Sequence, residues 1–188
     1  MSLQEPNLGY VLKRLEELRH NDRFYGAERA VDLAFRQWPT NVNYDEVLVK
    51  VVVLNRLYST NIWDPYTVAQ HIVDLNVDER LRAGDSSLIS IVGNVRFGSK
   101  TRYFLSFATK YCSWHEPDLF QIFDSYVEWI LWQYKAQFDF ASFKQKELRV
   151  YPSFVSVVDQ FVEHFGLVRL SRKDLDKFLW IEGKDNWR

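Results

Sequence analysis

The chain is short of the residues that turn-rich and cross-linked proteins need. Its 188 residues include only seven glycines and five prolines, which argues against an all-β protein built on many tight turns. The single cysteine, Cys112, excludes an intramolecular disulfide and any zinc or iron–sulfur site made from several cysteines. A lone thiol fits a reducing compartment, so we expect a cytoplasmic protein without a metal cluster.

Long apolar runs and a strong net charge are also missing. Even LVKVVVLNRLY is interrupted by Lys50, Asn55 and Arg56, well short of the roughly 18 apolar residues of a membrane span. The first twenty residues are charged and lack the apolar core of a signal peptide. The formal net charge is -1, so any surface that attracts nucleic acid has to be local. We therefore expect a soluble protein that does not associate with membranes.

The residues that are present predict helices. Hydrophobic residues make up 47% of the chain, enough for a sizeable core, and they recur at helical spacing. Asp64 followed by Pro65 is typical of a helix start, and Gly166 is typical of a helix stop. The pattern predicts an all-α fold, a compact single domain over residues 1–188 with about nine or ten short helices. The predicted helices cover about 8–20, 26–37, 43–58 (capped by Asn43 or Asp45), 65–75, one or two between 76 and 93, 100–113, 124–137, 153–165 and 171–180.

One stretch, VLVKVVVL, is ambiguous by propensity. Its many β-branched residues are typical of a strand. The apolar segment is about fourteen residues long, however, and it has polar breaks at Lys50 and Asn55. Length and breaks together favour a buried helix.

Basic charge is concentrated in the middle of the chain. Residues 86 to 115 contain no acidic residue, and two glycines, Gly93 and Gly98, lie in a predicted loop just before a helix. The basic residues of this stretch are Arg96, Lys100, Arg102 and Lys110. Backbone amides at such a loop and helix start can hold a phosphate, with the cations adding charge. The alternative is a solvated helix with ordinary surface cations.

Three stretches carry a resemblance to a known family. YDEVLVKVVVLNRLYSTNIWDPYTVAQHIVDL is similar to a helix, a polar joint and a following helix, VRFGSKTRYFLSFATKYC to a hairpin and helix, and IFDSYVEWIL to a segment that presents an aspartate. In this order they resemble the helix-hairpin-helix DNA glycosylase superfamily over about residues 43–135, with the N- and C-terminal helices packed on that core. The family's hairpin has two closely spaced glycines, whereas here Arg96 stands near the first glycine place and only Gly98 matches.

The resemblance implies a DNA partner and a base-excision function. It gives the inserting place in the polar joint to Asn61, and it implies DNA contacts from the hairpin residues Arg96, Gly98, Lys100 and Arg102. The activity implied is that of a DNA N-glycosylase, joined by abasic-site lyase activity if a lysine forms a Schiff base with the sugar. It implies no cofactor.

The candidate catalytic residues are one aspartate and two rival lysines. A carboxylate at a helix N-cap, the place of Asp124, is held by backbone amides, and a fixed anion there would stabilise the cation that forms on the sugar as the base leaves. Lys100 matches the position of the family's lysine nucleophile. Lys110 lies among aromatic residues, which can make an amine nucleophilic, and it could pair with Asp124 across the break at HEPDLFQIF. We favour this pair, with Lys100 as the rival. The bland alternatives are a plain N-cap and an ion pair between helix ends.

Aromatic residues around that break could wall a slot for an extruded base. Stacking on aromatic rings accepts any base, and core packing is the alternative for the same residues. The candidates are Trp114, His115, Phe123 and Tyr126. His115 and Glu116 do not form a metal motif, because no second histidine stands at the required helical spacing.

A second class of function stays open. The near-neutral net charge and the imperfect hairpin fit a non-catalytic helical protein that keeps the same scaffold to bind DNA or another protein.

Overall fold

The computed structural model describes residues 2–187, and helices dominate that part of the chain. The mostly helical class predicted from the sequence is confirmed, with one short hairpin in addition. The α-helices are α1 (Leu8–Arg19), α2 (Asp22–Gln37), α3 (Tyr44–Tyr58), α4 (Pro65–Asp74), α5 (Asp78–Arg82), α6 (Leu88–Gly93), α7 (Leu105–His115), α8 (Ser125–Phe138), α9 (Tyr151–His164) and α10 (Arg172–Asn186). Strands β1 (Asn94–Phe97) and β2 (Lys100–Tyr103) form the hairpin, and a 3-10 helix spans Gln145–Arg149. Within residues 2–187, no helix is both long and apolar enough to cross a membrane.

The chain divides into two compact units. The central unit is Arg23–Ile122 and holds nearly all of α2, helices α3 to α7 and the hairpin. The terminal unit combines residues 1–22 with residues 123–188 and holds α1, α8, α9 and α10.

Helix α3 runs through the core of the central unit. The side chain of Asn43 caps it, accepting hydrogen bonds from the amides of Asp45 and Glu46. Its buried face is formed by Val47, Lys50, Val51 and Leu54. The β-branched run is therefore a helix, as its length and polar breaks predicted.

Helix α4 begins as its sequence predicted. The Asp64 carboxylate accepts hydrogen bonds from the Thr67 amide at 3.2 Å and the Thr67 hydroxyl at 2.7 Å, and Pro65 occupies the first turn. These bonds to Thr67 lower the pKa of Asp64, since they favour its charged form.

The hairpin corrects the prediction of a helix from about Lys100. Lys100 to Tyr103 pair antiparallel with Asn94 to Phe97, so α7 begins only at Leu105. Gly98 turns the chain with φ of +61°, a conformation that suits glycine at the first position of a two-residue hairpin turn. Gly93 is needed for a different reason, because a Cβ there would lie 2.7 Å from the Tyr103 ring.

The terminal unit is organised by α8 and α10. Asp124 caps α8 by accepting from the Tyr126 amide at 2.9 Å, so the predicted helix start is confirmed. Helix α10 extends to Asn186, beyond its predicted end. At Gly183 it comes so close to α8 that a Cβ would collide with the Tyr126 carbonyl.

A buried carboxylate fastens α10 to its neighbours in the terminal unit. Glu182 is 2% exposed and accepts a hydrogen bond from the Arg14 guanidinium at 2.6 Å. It also accepts from the hydroxyls of Tyr10 at 2.9 Å and Tyr134 at 3.3 Å. Burial and the nearby carboxylate raise the pKa of Tyr10 to about 12.

Candidate functional site

A rigid joint links α3 to α4 in the central unit. Asn55 holds it through its side-chain amide, donating to the Ile62 carbonyl at 2.7 Å and accepting from the Ile62 amide at 3.0 Å. The same oxygen accepts from the Thr60 hydroxyl at 3.0 Å. These hydrogen bonds fix the backbone of the joint, and the side chains of Asn61 and Trp63 face solvent.

Two exposed side chains mark this joint. Asn61 is exposed with φ of +61°, the left-handed conformation that asparagine tolerates better than most residues. Trp63 is 61% exposed, which is unusual for so large an apolar side chain. The resemblance pointed to Asn61 but not to Trp63.

A ring contact brings the joint and the hairpin together. The ring centroids of Trp63 and Phe97 lie 4.6 Å apart, with the planes tilted by 36°. Phe97 also contacts Phe104 edge-on at 6.0 Å. This packing places the joint beside the hairpin on one surface of the central unit.

Strand pairing sorts the basic residues of the hairpin between its two faces. Phe97 pairs with Lys100, and Val95 pairs with Arg102, so both cations share the face of Phe97. Arg96 lies on the opposite face and donates from Nε to the Gly98 carbonyl at 2.9 Å. We use the term hairpin surface for the half-buried Phe97 together with the exposed residues Asn61, Trp63, Lys100 and Arg102.

The two rival lysines have very different surroundings. Lys100 is exposed on β2. Lys110 is 3% exposed in the middle of α7, and its ammonium group donates to the Ser106 hydroxyl at 2.7 Å. Asp124 belongs to the terminal unit and Lys110 to the central unit, so their pairing stays a prediction.

The four predicted slot residues divide between the units. Trp114 and His115, at the end of α7, line a cavity of about 500 Å³ in the central unit. In the terminal unit, the Phe123 ring packs edge-on against Phe154 at 5.4 Å. Tyr126, also in the terminal unit, packs edge-on against Trp180 and Trp187.

Aromatic rings form one wall of the cavity. The Phe35 ring lies 4.9 Å from the His115 ring and 6.1 Å from the Trp114 ring. Charged and polar side chains complete the lining. They are Asp32, Arg36, Thr40, Asp78, Arg82 and Glu116.

A buried lysine lies directly behind this cavity. Lys50 is fully buried, and its ammonium group donates to the Trp38 carbonyl at 3.0 Å, the Thr40 carbonyl at 2.8 Å and Asn41 Oδ1 at 2.8 Å. All three acceptors are neutral oxygens. Burial therefore lowers the pKa of Lys50 to about 8, although nearby carboxylates oppose the shift.

Asn41 connects this lysine to a carboxylate on the cavity wall. Its Oδ1 accepts from Lys50 and also from the Tyr111 hydroxyl at 2.5 Å. Its Nδ2 and backbone amide donate to the two Asp78 oxygens at 2.6 and 3.1 Å. The chain of bonds thus runs from the buried lysine to an acceptor that borders the cavity.

His115 is kept neutral beside the lysine. Its Nε2 lies 3.4 Å from the Lys50 ammonium nitrogen. Burial first, and then the Lys50 charge, lower the pKa of His115 to about 3. At ordinary pH the cavity wall therefore carries an uncharged imidazole.

The residues that sequence reasoning missed here are Lys50, Asn41, Asp78 and Tyr111. A signal for Lys50 was present, because it shares the apolar stripe of α3 with Val47, Val51 and Leu54. A lysine on the buried stripe of a helix needs internal acceptors. No local pattern in the sequence indicates that Asn41 accepts from Lys50, or that Asp78 in turn accepts from Asn41. Among the described residues, no three His, Cys, Asp or Glu side chains group closely enough to hold a metal ion.

Comparison with known proteins places this cavity and the hairpin surface in one family domain. The model of the HI_0787_N family, described as an N-terminal domain, matches residues 10–119. An uncharacterized protein of Haemophilus influenzae is 42% identical over 142 residues, which are 75% of this chain and 68% of that protein. The chain belongs to the HI_0787_N family. No solved structure matches it.

Proposed function

We propose that the chain is a DNA-binding base-excision protein of the N-glycosylase type. The observation that supports this best is the contact between Trp63 and Phe97, which unites the joint with the basic hairpin. The exposed Trp63 ring, backed by the half-buried Phe97 and flanked by Lys100 and Arg102, has the two elements of nucleic-acid binding, a stacking platform and cations for phosphates.

Each part of the hairpin surface has a distinct role in this proposal. Lys100 and Arg102 neutralise backbone phosphates, and the Trp63 ring stacks on a base. Asn61 enters the space that the extruded base leaves. Extrusion costs a few kcal/mol, least at a damaged or mismatched site, and stacking on the protein offsets part of that cost.

The chemical step is proposed to depend on Asp124. As the base departs, positive charge develops on the sugar, and a carboxylate already held by a backbone amide stabilises it without reorganising. The hydrogen bond that the Tyr126 backbone amide donates to Asp124, at 2.9 Å, supports the assignment.

The surroundings of the two lysines favour Lys100 as the amine for any lyase step. An amine nucleophile has to reach the sugar carbon, and Lys100 is exposed while Lys110 is 3% exposed. Lys110 stays a rival, because DNA binding could rearrange its environment.

Borohydride trapping tests the lyase part of this proposal. Oligonucleotides carrying an abasic site, uracil or 8-oxoguanine are incubated with the parent chain, Lys100→Ala and Lys110→Ala. A covalent protein–DNA band that only Lys100→Ala abolishes is the expected result for a Schiff base on Lys100. A band abolished only by Lys110→Ala would identify Lys110 as the lysine that forms the Schiff base.

A base-release assay then tests the glycosylase part. Free base should appear with the parent chain and fall by at least about 100-fold in Asp124→Asn, because the fixed anion is lost. Asp139→Asn, at the exposed end of α8, is the matched control. If no substrate gives either a trapped complex or free base, the enzyme is excluded.

The burial of Lys110 favours a second candidate, a binding protein without chemistry. A lysine bonded to Ser106 inside α7 is placed as a structural residue would be. In that case Lys110→Ala lowers the melting temperature by a few degrees and leaves DNA binding unchanged, with no product from any oligonucleotide.

A further inference from the structure

The outer face of α3 is apolar at its centre, where a surface helix is normally polar. The buried face carries Val47, Val51 and Leu54, and the opposite face carries Val49 and Val52, which are both exposed. A helix with one buried face usually turns charged or polar side chains to solvent on the other face. The two exposed valines are therefore candidates for contact with a partner.

A charged residue continues the same line at each end of the helix. Asp45 lies in the first turn of α3 and Arg56 in the last, and both side chains are exposed. Positions 45, 49, 52 and 56 are separated by four, three and four residues, the spacing of a seam along which two helices pack. We call these four residues the outer stripe. The half-buried Leu48 and Val53 border it on either side.

The helix dipole accounts for the two charges but not for the stripe. An acidic residue at a helix start and a basic residue at a helix end are each favourable. The dipole does not require, however, that they share one line with two exposed valines. Among the side chains that the structure describes, neither Asp45 nor Arg56 forms an ion pair, so both charges are available to a partner.

The outer stripe is complementary to itself when a second copy runs antiparallel. Its spacing is the same in both directions, so a two-fold axis between positions 50 and 51 places Asp45 of each copy beside Arg56 of the other. The same axis places Val49 of each copy against Val52 of the other. Parallel pairing would instead bring together two aspartates and two arginines, and such like-charge contacts are unfavourable.

We propose that the chain forms a homodimer through antiparallel pairing of two α3 helices along the outer stripe. The dimer contains the valine contact twice and the ion pair between Asp45 and Arg56 twice. Helix α3 has 15 residues, about 22 Å at 1.5 Å per residue, so the contact between two such helices is small. Small interfaces belong to weak, reversible complexes, and we expect a dimer that forms at micromolar concentrations or above.

Dimerisation is independent of the proposed DNA binding. The dimer contact lies on α3, whereas DNA contact is assigned to the hairpin surface. Mass measurements without DNA test the dimer alone, so either proposal can fail while the other stands.

Analytical ultracentrifugation of the chain, from about 1 to about 300 μM, measures the association. The parent should pass from the mass of one chain toward the mass of two as the concentration rises. A parent that keeps the mass of one chain over this whole range overturns the proposal.

Val52→Glu tests the apolar centre of the interface. It places a carboxylate against Val49 of the other copy, so dimerisation should weaken by at least about ten-fold. Val168→Glu adds the same charge at an exposed position of the terminal unit and should dimerise like the parent. Unchanged dimerisation in Val52→Glu, or equal losses in the two variants, contradicts the interface.

Charge exchange tests the antiparallel arrangement. Asp45→Arg and Arg56→Asp each turn both ion pairs into like-charge contacts, so each variant alone should dimerise at least about ten-fold more weakly than the parent. An equimolar mixture of the two should associate again, because every arginine then faces an aspartate. Asp22→Arg, in the first turn of α2, removes a similar helix-end charge and should dimerise like the parent.

Recovery in the mixture cannot come from unfolded chains, so it supports the pairing directly. Circular dichroism is used to confirm that each variant is folded. If a charge variant is not folded, Val52→Glu and its control decide the question. Unchanged dimerisation in the single charge variants, or no recovery when folded variants are mixed, contradicts the antiparallel pairing.

Discussion

Both units bury charged side chains, and the most deeply buried one of each, Glu182 and Lys50, is accommodated differently. In the terminal unit, Glu182 lies against the Arg14 guanidinium at 2.6 Å and accepts from two tyrosine hydroxyls. In the central unit, Lys50 donates to three neutral oxygens, two of them backbone carbonyls.

The difference distinguishes a charged group with a structural role, Glu182, from one with a strongly shifted pKa, Lys50. A carboxylate paired with a guanidinium ties helices together. An ammonium group that depends on neutral acceptors is closer to losing its proton, which is why burial lowers the pKa of Lys50 to about 8. Perturbed groups beside a cavity are typical of functional sites, and Lys50 lies behind one whereas Glu182 fastens α10 to α1 and α8.

The largest effect is expected at the helix contact that seats Glu182. Gly183→Ala adds a Cβ that collides with the Tyr126 carbonyl, so α10 has to move away from α8. We expect unfolding to become easier by about 3–5 kcal/mol, measured by urea denaturation. Gly26→Ala is the control, since a Cβ there lies 3.9 Å from its nearest neighbour. It should stabilise α2 by about 0.5–1 kcal/mol, and equal effects of the two alanines would contradict the packing argument.

The buried lysine gives the next largest effect. Lys50→Met fills a similar volume but leaves the Trp38 and Thr40 carbonyls without their donor. We expect a loss of about 2–3 kcal/mol in the free energy of unfolding. Lys13→Met, whose side chain is 73% exposed on α1, should change it by less than about 0.5 kcal/mol. A neutral result at Lys50 would mean that it does not hold the residues around Asn41 in place.

The paired carboxylate should matter less when only its charge is removed. Glu182→Gln keeps the shape and can still accept from Arg14, which also retains Glu17 and Asp185. The expected loss is about 1–2 kcal/mol by the same denaturation measurement. Glu16→Gln, on the exposed face of α1, provides the baseline. A loss larger than that of Lys50→Met would reverse the contrast between the two charges.

The pH dependence of stability should report His115. Its pKa falls from 6.5 to about 3 on folding, so between these values the unfolded chain binds the extra proton. The contribution of the neutral imidazole to the free energy of unfolding is therefore fully present above about pH 6.5 and is lost as the pH falls toward 3. His115→Phe should remove this component, so thermal melts of parent and variant should converge or cross as the pH is lowered. A constant difference across that window would show that His115 titrates normally.

Much of the fold could be predicted because its signals are local. Asp64 with Pro65, and Asp124, each begin a helix as their sequences indicated. The two strands of the hairpin could not be predicted in the same way. They are only four residues long, and the sequence of Lys100 to Tyr103 is equally compatible with a first helical turn. Only the pairing with Asn94 to Phe97 makes this segment a strand.

The candidate sites show the same limit. Asn61 was predicted from one stretch and Lys100 and Arg102 from another, whereas their common surface depends on a contact between Trp63 and Phe97, 34 positions apart in the printed sequence. Asn41, Lys50 and Asp78 come from three separate segments and meet only through tertiary packing. A polar residue in an apolar run can be noticed in the sequence, but its partners cannot.

The most direct test of the account is DNA binding by the hairpin surface. Fluorescence anisotropy of a labelled oligonucleotide is measured at several salt concentrations for the parent, Arg102→Glu and Trp63→Ala, with Arg29→Glu on α2 as the charge-matched control. We expect binding by the parent that weakens with salt, a shallower salt dependence in Arg102→Glu by at least about 0.7 in log–log slope, and weaker binding in Trp63→Ala at every salt concentration. Arg29→Glu should behave like the parent. Absence of binding by the parent, or equal losses in Arg29→Glu and Arg102→Glu, would contradict the assignment of this surface to nucleic acid.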